Sequence, residues 1–280
     1  MKPEIIAEAI RILETDIPPD VEKALERALQ SEGGLSRQVI AAMLENIRLA
    51  REGGVPVCQD TGSLVFFVRT DMGCRELFNA IREGVALATE SVPLRANIVD
   101  PLSRRNTGNN LGRWNPVVHM EPSHDGRTRI GILAKGAGSE NVSAAAMLDP
   151  DQGSDGIRSF VTKAVENAGA KPCPPIVVGV GVGGTLDGAV TLSKRALMRR
   201  LDELSPDERG KELEEKLLQE INSLGIGPMG FGGKTTALGV KAEFADCHTA
   251  SLPVAVSIQC WALRRVVIEQ EGAEAVIRRF

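Results

Sequence analysis

Tyrosine is absent from this sequence, and all aromatic residues together make up only 3% of it. No phenol is therefore available as a proton donor, and platforms on which nucleobases could stack are scarce. Neither sign of charge dominates: 33 Lys and Arg stand against 37 Asp and Glu, for a formal net charge of -4. The basic residues are dispersed, which argues against a nucleic-acid partner. An anionic substrate would need a local cationic pocket, because there is no global field to attract it. No apolar run approaches the roughly 20 residues that span a bilayer. The opening segment Met1–Ile10 is acidic and amphipathic and lacks the apolar core of a signal peptide. The expectation is a cytoplasmic protein with no membrane partner. Five cysteines in 280 residues are too few for a disulfide scaffold. In a reducing compartment such thiols stay free, bind metal or do chemistry.

What is present is ample apolar content, 42% of the residues, enough for one large core or two lobes. Ile5, Ile6, Ala9, Ile10 and Leu13 recur at helical spacing, as do Val21, Ala24, Leu25, Ala28 and Leu29 after Pro18-Pro19. Further helices are expected over Ser36–Arg51, Cys74–Ser91, Gln152–Gly169, Leu186–Glu203 and Pro206–Ser223. Strands are expected over Leu64–Val68, Pro116–Met120, Thr128–Leu133, Ile176–Val182, Thr235–Phe244, Pro253–Ile258 and Leu263–Ile268. Lys135–Asn141 reads as a Gly-rich loop opening onto a short alanine-rich helix. Helices and strands alternate, so the expected fold class is α/β: mixed sheets with surrounding helices, a helical N-terminal region, and a single domain over 1–280 that can divide into two lobes.

Two segments resemble nucleotide motifs. Gly179-Val-Gly-Val-Gly-Gly184 satisfies G-x-G-x-x-G between a strand and a helix. However, the acids about 20 residues on, Asp202 and Glu203, end a helix where a dinucleotide fingerprint needs a strand tip. Close packing of strand on helix explains the glycines better. Gly232-Gly-Lys-Thr-Thr236 resembles the tail of a P-loop, yet position 228, where its first glycine belongs, is Pro228.

The cysteines carry more. Cys58 lies in a turn between helix and strand, beside Gln59 and Asp60. Cys173 is fenced by Pro172, Pro174 and Pro175, which restrict its backbone. Cys260 follows a strand and precedes Trp261. Cys74 and Cys247 have no such framing. Three thiolates from distant segments suit a cuboidal [4Fe–4S] cluster with one iron left open. Three ordinary buried thiols, or a zinc site completed by His248, are the competing readings. Asp60 is placed to exchange protons beside a metal, or else caps its own turn. Arg95 can pair with a carboxylate, the Lys135–Asn141 loop offers backbone N–H groups to an anion, and His248 is one of only three histidines.

Taken in order along the chain, these fragments form a series. Val57-Cys-Gln-Asp-Thr-Gly62, Leu94-Arg-Ala-Asn97, Asn106-Thr-Gly-Asn-Asn110, Lys135-Gly-Ala-Gly-Ser-Glu-Asn141, Cys173-Pro-Pro175 and Gly179-Val-Gly-Val-Gly-Gly-Thr185 come first. Gly225-Ile-Gly-Pro-Met-Gly230 and Ala255-Val-Ser-Ile-Gln-Cys-Trp-Ala-Leu-Arg-Arg265 follow. The series resembles the alpha subunit of class I fumarate hydratase and of its relative, tartrate dehydratase, over about residues 3 to 268. The resemblance implies that Cys58, Cys173 and Cys260 ligate an oxygen-sensitive [4Fe–4S] cluster. It implies that Asp60 acts as an acid on the substrate hydroxyl, that Gln59, Arg95, Gly136 and Gly138 contact a small dicarboxylate, and that His248 assists catalysis. Here the histidine motif reads His248-Thr-Ala-Ser-Leu-Pro253, a partial match. The resemblance further implies reversible hydration of fumarate to malate, or dehydration of tartrate or a mesaconate-type acid. It also implies a separate beta subunit carrying the catalytic base and further cationic clamps, with alpha–beta units assembling again into an oligomer. A cluster-based iron or redox sensor is the alternative of another class, although electron transfer prefers four protein ligands.

Overall fold

The computed structural model describes residues 1–280 except Met72, Pro93, Ala273 and Phe280. Pro93, at the helix exit expected before Arg95, thus lies outside the described residues. In chain order the elements begin with α1 (Pro3–Thr15), α2 (Pro19–Ser31), α3 (Gly34–Gly53), β1 (Ser63–Thr70) and α4 (Cys74–Ser91). Next come β2 (Val117–Pro122), β3 (Thr128–Lys135), α5 (Ala137–Glu140), β4 (Ala144–Leu148) and α6 (Gly153–Ala168). The remainder is β5 (Ile176–Val182), α7 (Leu186–Ala196), α8 (Glu208–Ser223), β6 (Ala237–Phe244), β7 (Leu252–Gln259), β8 (Arg264–Glu271) and β9 (Glu274–Arg278). The expected α/β class with two mixed sheets and a helical N-terminus is what the chain adopts. It divides into two compact units.

The first unit comprises Met1–Pro19, Glu45–Ala137 and Arg264–Phe280. Its five-stranded sheet runs β2-β1-β3-β8-β9, with β1 and β2 parallel and the other neighbours antiparallel. Ile6, Ile10 and Leu13 of α1 and Leu77, Ile81 and Val85 of α4 share a core with Phe66, Ile130, Ile132 and Val266 from the sheet. Each fully buried aliphatic side chain of this kind contributes roughly 1.5–3 kcal/mol.

The second unit comprises Asp20–Leu44 and Gly138–Leu263. Its sheet runs β4-β7-β5-β6, with β5 and β6 parallel and β7 antiparallel to both neighbours. Every residue of β5 is buried. Val178 and Val180 pack with Val161 and Val165 of α6 and Leu217 and Ile221 of α8. Positions 179 and 181, on the other face, are glycines because α7 presses on them. A Cβ on Gly179 would stand 2.1 Å from the Ser193 carbonyl oxygen, and one on Gly181 would stand 2.0 Å from that of Ala189. The glycine series is therefore strand-on-helix packing. The P-loop-like segment is likewise occupied from within, since Lys234 and Thr235 N–H donate to Glu32 Oε1 at 2.7 and 2.6 Å. An internal carboxylate sits where a phosphate would.

Three expectations change. Ala144–Leu148 is a strand and not the expected helix, because it pairs antiparallel with β7 along Ala144↔Val256 to Leu148↔Leu252. Five residues are too few for alanine's helix propensity to outweigh a sheet edge that needs partners. The helix beginning at Leu186 ends at Ala196, short of Glu203. Beyond it the Leu197, Met198 and Arg199 N–H groups bond three residues back, and the Leu201 N–H goes to Asp20 Oδ2 at 2.7 Å. A ninth strand, Glu274–Arg278, was not expected, because its charged ends conceal a short edge strand on β8.

Candidate functional site

The residues singled out by sequence fall into two groups, one in each unit. In the first unit, α3 ends at Gly53, and Val57, Cys58 and Gln59 form a bend before β1. Both sides of Val57 are tied: its N–H donates to the Glu14 carbonyl at 2.8 Å, and its carbonyl accepts from Asn46 Nδ2 at 2.9 Å. Asp60 is half-buried, and both its carboxylate oxygens accept hydrogen bonds. Oδ1 accepts from Gly62 N–H at 2.9 Å and Asn97 Nδ2 at 3.4 Å, while Oδ2 accepts from Ala137 N–H at 2.8 Å. The Gly-rich loop after β3 thus presents an amide to a carboxyl, and the carboxyl it holds here is the chain's own Asp60. Gly136 permits this approach, since a Cβ there would lie 3.1 Å from Asp60 Oδ2.

Arg95 reaches the same place through its backbone. Its carbonyl accepts from Thr61 Oγ1 at 3.4 Å and from Asn110 Nδ2 at 3.0 Å, and the residue itself is exposed. Gln59 is exposed as well. Cys58, Gln59, Asp60, Arg95 and Gly136 are therefore gathered within one unit. Sequence reasoning quoted Asn97 within a motif but gave it no role. It also passed over Glu14 and Arg264, two of the most deeply buried charges of the unit. Arg264 is 1% and Glu14 0% exposed. Arg264 Nη1 bonds Glu14 Oε2, and Nη2 donates to the Asp60 carbonyl at 2.8 Å. The Arg-Arg pair at 264–265, inside an otherwise apolar strand pattern, was the available signal.

In the second unit, Cys173 occupies the left-handed region with φ +55°. For a residue with a Cβ this costs roughly 1–2 kcal/mol, so the surroundings must impose it. Its N–H donates to the Ala170 carbonyl at 3.1 Å, its own carbonyl accepts from Trp261 N–H at 3.3 Å, and the Pro174 carbonyl accepts from Met229 N–H at 2.7 Å. The Trp261 bond brings Cys260 and Cys173 into neighbouring backbone. Gly138 joins them, because a Cβ there would meet the Lys171 carbonyl oxygen at 3.4 Å. His248 sits apart in the exposed loop between β6 and β7. Its Nδ1 accepts from Ala250 N–H at 3.1 Å and its carbonyl from Ser251 N–H at 2.9 Å, bonds that stay within its own loop.

Burial pushes the Glu14 carboxyl up to about 7, with the Arg264 charge opposing the rise and the Asp60 charge adding to it. Its second oxygen, Oε1, is buried without a hydrogen-bond partner. An acid raised above its unfolded value of 4.5 binds more protons folded than unfolded between those two values. Its contribution is therefore complete below about pH 4.5 and is lost as pH rises through 7. The loss is on the order of 3 kcal/mol. Urea denaturation of the parent and of Glu14→Gln from about pH 5 to 8 tests this. The parent should lose stability relative to the variant as pH rises, and parallel curves would refute it.

None of the five cysteines is in a disulfide. Among the described residues, no three His, Cys, Asp or Glu side chains are gathered tightly enough to hold a single metal ion. A cuboidal cluster makes a different demand, because each thiolate binds a different iron. Three thiols outside any disulfide, all at element edges and one held in an imposed backbone conformation, are a donor set that fits it.

A model of the fumarate hydratase (Fumerase) family matches residues 3–269. The chain belongs to that family. It is similar to the putative L(+)-tartrate dehydratase subunit alpha of Methanocaldococcus jannaschii, 46% identical over 94% of this chain and 95% of that protein. It is 34% identical to the L(+)-tartrate dehydratase subunit alpha of Escherichia coli (strain UTI89 / UPEC), over 94% of this chain and 88% of that one. The putative fumarate hydratase class I of Geobacillus stearothermophilus is 36% identical over 90% of this chain, which spans only 51% of that protein. As a member of the fumarate hydratase family, the chain is a hydro-lyase.

Proposed function

We propose that this hydro-lyase is the cluster-bearing, alpha-type subunit that hydrates fumarate to malate reversibly, with Cys58, Cys173 and Cys260 as ligands of a [4Fe–4S] cluster. The observation that carries the reading is the turn that sets the Asp60 carboxyl two residues from the Cys58 thiol and fixes both carboxylate oxygens with three donors. When bound, a cluster with an open iron supplies a Lewis acid for the substrate's hydroxyl and carboxylate. Asp60 exchanges the proton at the hydroxyl oxygen, giving it in dehydration and taking it in hydration. Arg95 and Gln59, exposed beside that turn, contact the substrate carboxylates, the guanidinium pairing in bidentate fashion. The Gly136–Gly138 loop lets substrate approach the backbone closely, and His248 donates a hydrogen bond from its loop.

A beta subunit supplies the catalytic base. This is supported by two relatives named as alpha subunits that match nearly end to end, and by a class I relative about twice as long. Alpha–beta units then assemble into an oligomer. The whole of 1–280 acts as one alpha-subunit domain in the cytoplasm, and no helix among the described residues is long and apolar enough to cross a membrane. A second reading, dehydration of tartrate, is favoured by the names of the two alpha-subunit relatives.

The test is an anaerobic assay of the reconstituted alpha–beta complex on fumarate, malate, tartrate and mesaconate. Turnover is expected with fumarate and malate. Turnover of tartrate alone would move the assignment to the second reading. Full activity of the alpha chain without a partner would sink the two-subunit reading.

A further inference from the structure

We propose that the buried Glu14–Arg264 pair is the positioning device of the site: it fixes where the Cys58 thiol and the Asp60 carboxyl point by holding the turn between them at both ends. The proposal rests on the roles given above to Cys58 and Asp60, and it adds two residues to that site.

The turn is gripped at defined atoms. Glu14 lies in the last turn of α1, and its carbonyl takes the Val57 N–H just before Cys58. Its side chain binds Arg264, and the other arm of Arg264 takes the Asp60 carbonyl just after Gln59. One planar guanidinium thus fixes two oxygens at a set separation, which a single point charge cannot do. With the pair 1% and 0% exposed, no solvent competes for those bonds.

Stability alone is a poor reason to keep such a pair. Replacing a buried ion pair with well-packed apolar residues is often neutral or stabilising. What an apolar replacement cannot supply is a donor for the Asp60 carbonyl. Arg264 is also placed to relate the two faces of Asp60. It opens β8 opposite Ala134 of β3, and β3 runs straight into Gly136 and Ala137. Ala137 N–H holds the Asp60 carboxylate, while Arg264 holds the Asp60 carbonyl. Both ends of that residue are therefore referred to one β3–β8 ladder.

The experiment is the double variant Glu14→Leu/Arg264→Met, which removes both charges together, with Arg264→Lys beside it. In the full alpha–beta complex, the double variant is expected to melt near the parent and keep its KM. Its kcat should fall by about a hundredfold, the scale of a misplacement of about 1 Å. In the full-length chain without cluster, iodoacetamide should alkylate Cys58 about tenfold faster as the turn opens locally, with Cys173 unchanged. Arg264→Lys keeps the charge beside Glu14 but not the two-armed guanidinium, so it should melt near the parent and retain kcat only in part. A purely structural pair would give parental kcat and parental Cys58 reactivity in a stable double variant, and either result overturns the proposal. If the double variant does not fold, Arg264→Lys decides: parental kcat with parental Cys58 reactivity overturns the proposal. If the parent complex turns over no dicarboxylate, the proposed function fails, and the Cys58 alkylation rates judge the positioning role by themselves.

Discussion

Replacing Asp60 with Asn should abolish turnover and leave the cluster in place. Removing a positioned acid–base group costs typically about 10²–10⁴-fold in rate. The geometry here puts the loss at the upper end of that range. Both carboxylate oxygens accept from donors, Gly62 N–H and Asn97 Nδ2 on one and Ala137 N–H on the other. An amide has only one acceptor oxygen, so its NH₂ must face one of those donors. The amide side chain would thus lose the proton and also set an N–H against the donors on one side, either Gly62 and Asn97 or Ala137. The metal side is untouched, because the backbone on either side of Cys58 keeps its bonds, through Val57 and through the carbonyl of residue 60. Steady-state kinetics and iron content per chain are the measurements. Residual activity above about one per cent would remove Asp60 from the proton-transfer role.

The fold class and several element boundaries are legible in the sequence, and the exceptions have physical causes. The α4 and β5 boundaries were legible because their periodicities are unbroken and their flanks carry clear stop signals. Ala144–Leu148 was misread because alanine's local preference says helix, while the deciding partner, β7, lies about a hundred residues on in sequence. The motifs at Cys58, Asp60 and Gly136 were legible as fragments. What one-dimensional reading could not supply was the direction of the bonds. The Gly-rich loop looked like an anion cradle awaiting a ligand, and the fold shows one of its amides already holding Asp60. Glu14 was hidden for a similar reason. In sequence it is one more acid on an amphipathic helix, and only the approach of Arg264, 250 residues later, makes it a buried partner.

Replacing Cys173 with Ser should strip the cluster from the chain. The substitution is close to isosteric, so it isolates the sulfur from the backbone. That distinction matters here, because the Cys173 backbone is held independently of its side chain. The N–H bond to Ala170, the carbonyl bond from Trp261 and the neighbouring Pro174–Met229 bond all persist with serine. The left-handed φ of +55° is no harder for serine than for cysteine. Folding should therefore survive, and a melting temperature near the parent's checks that it does. A hydroxyl, by contrast, does not supply the soft thiolate that iron–sulfur clusters take from the protein. Iron content, acid-labile sulfide and visible absorbance after anaerobic reconstitution should all collapse, with turnover lost alongside. Cys74→Ser and Cys247→Ser are the matched controls. Both thiols are exposed, one opening α4 and the other in the loop before β7, and both variants should keep cluster and rate. A Cys173→Ser chain that retained its cluster and its activity would overturn the ligand assignment, and the imposed backbone at position 173 would then need another explanation.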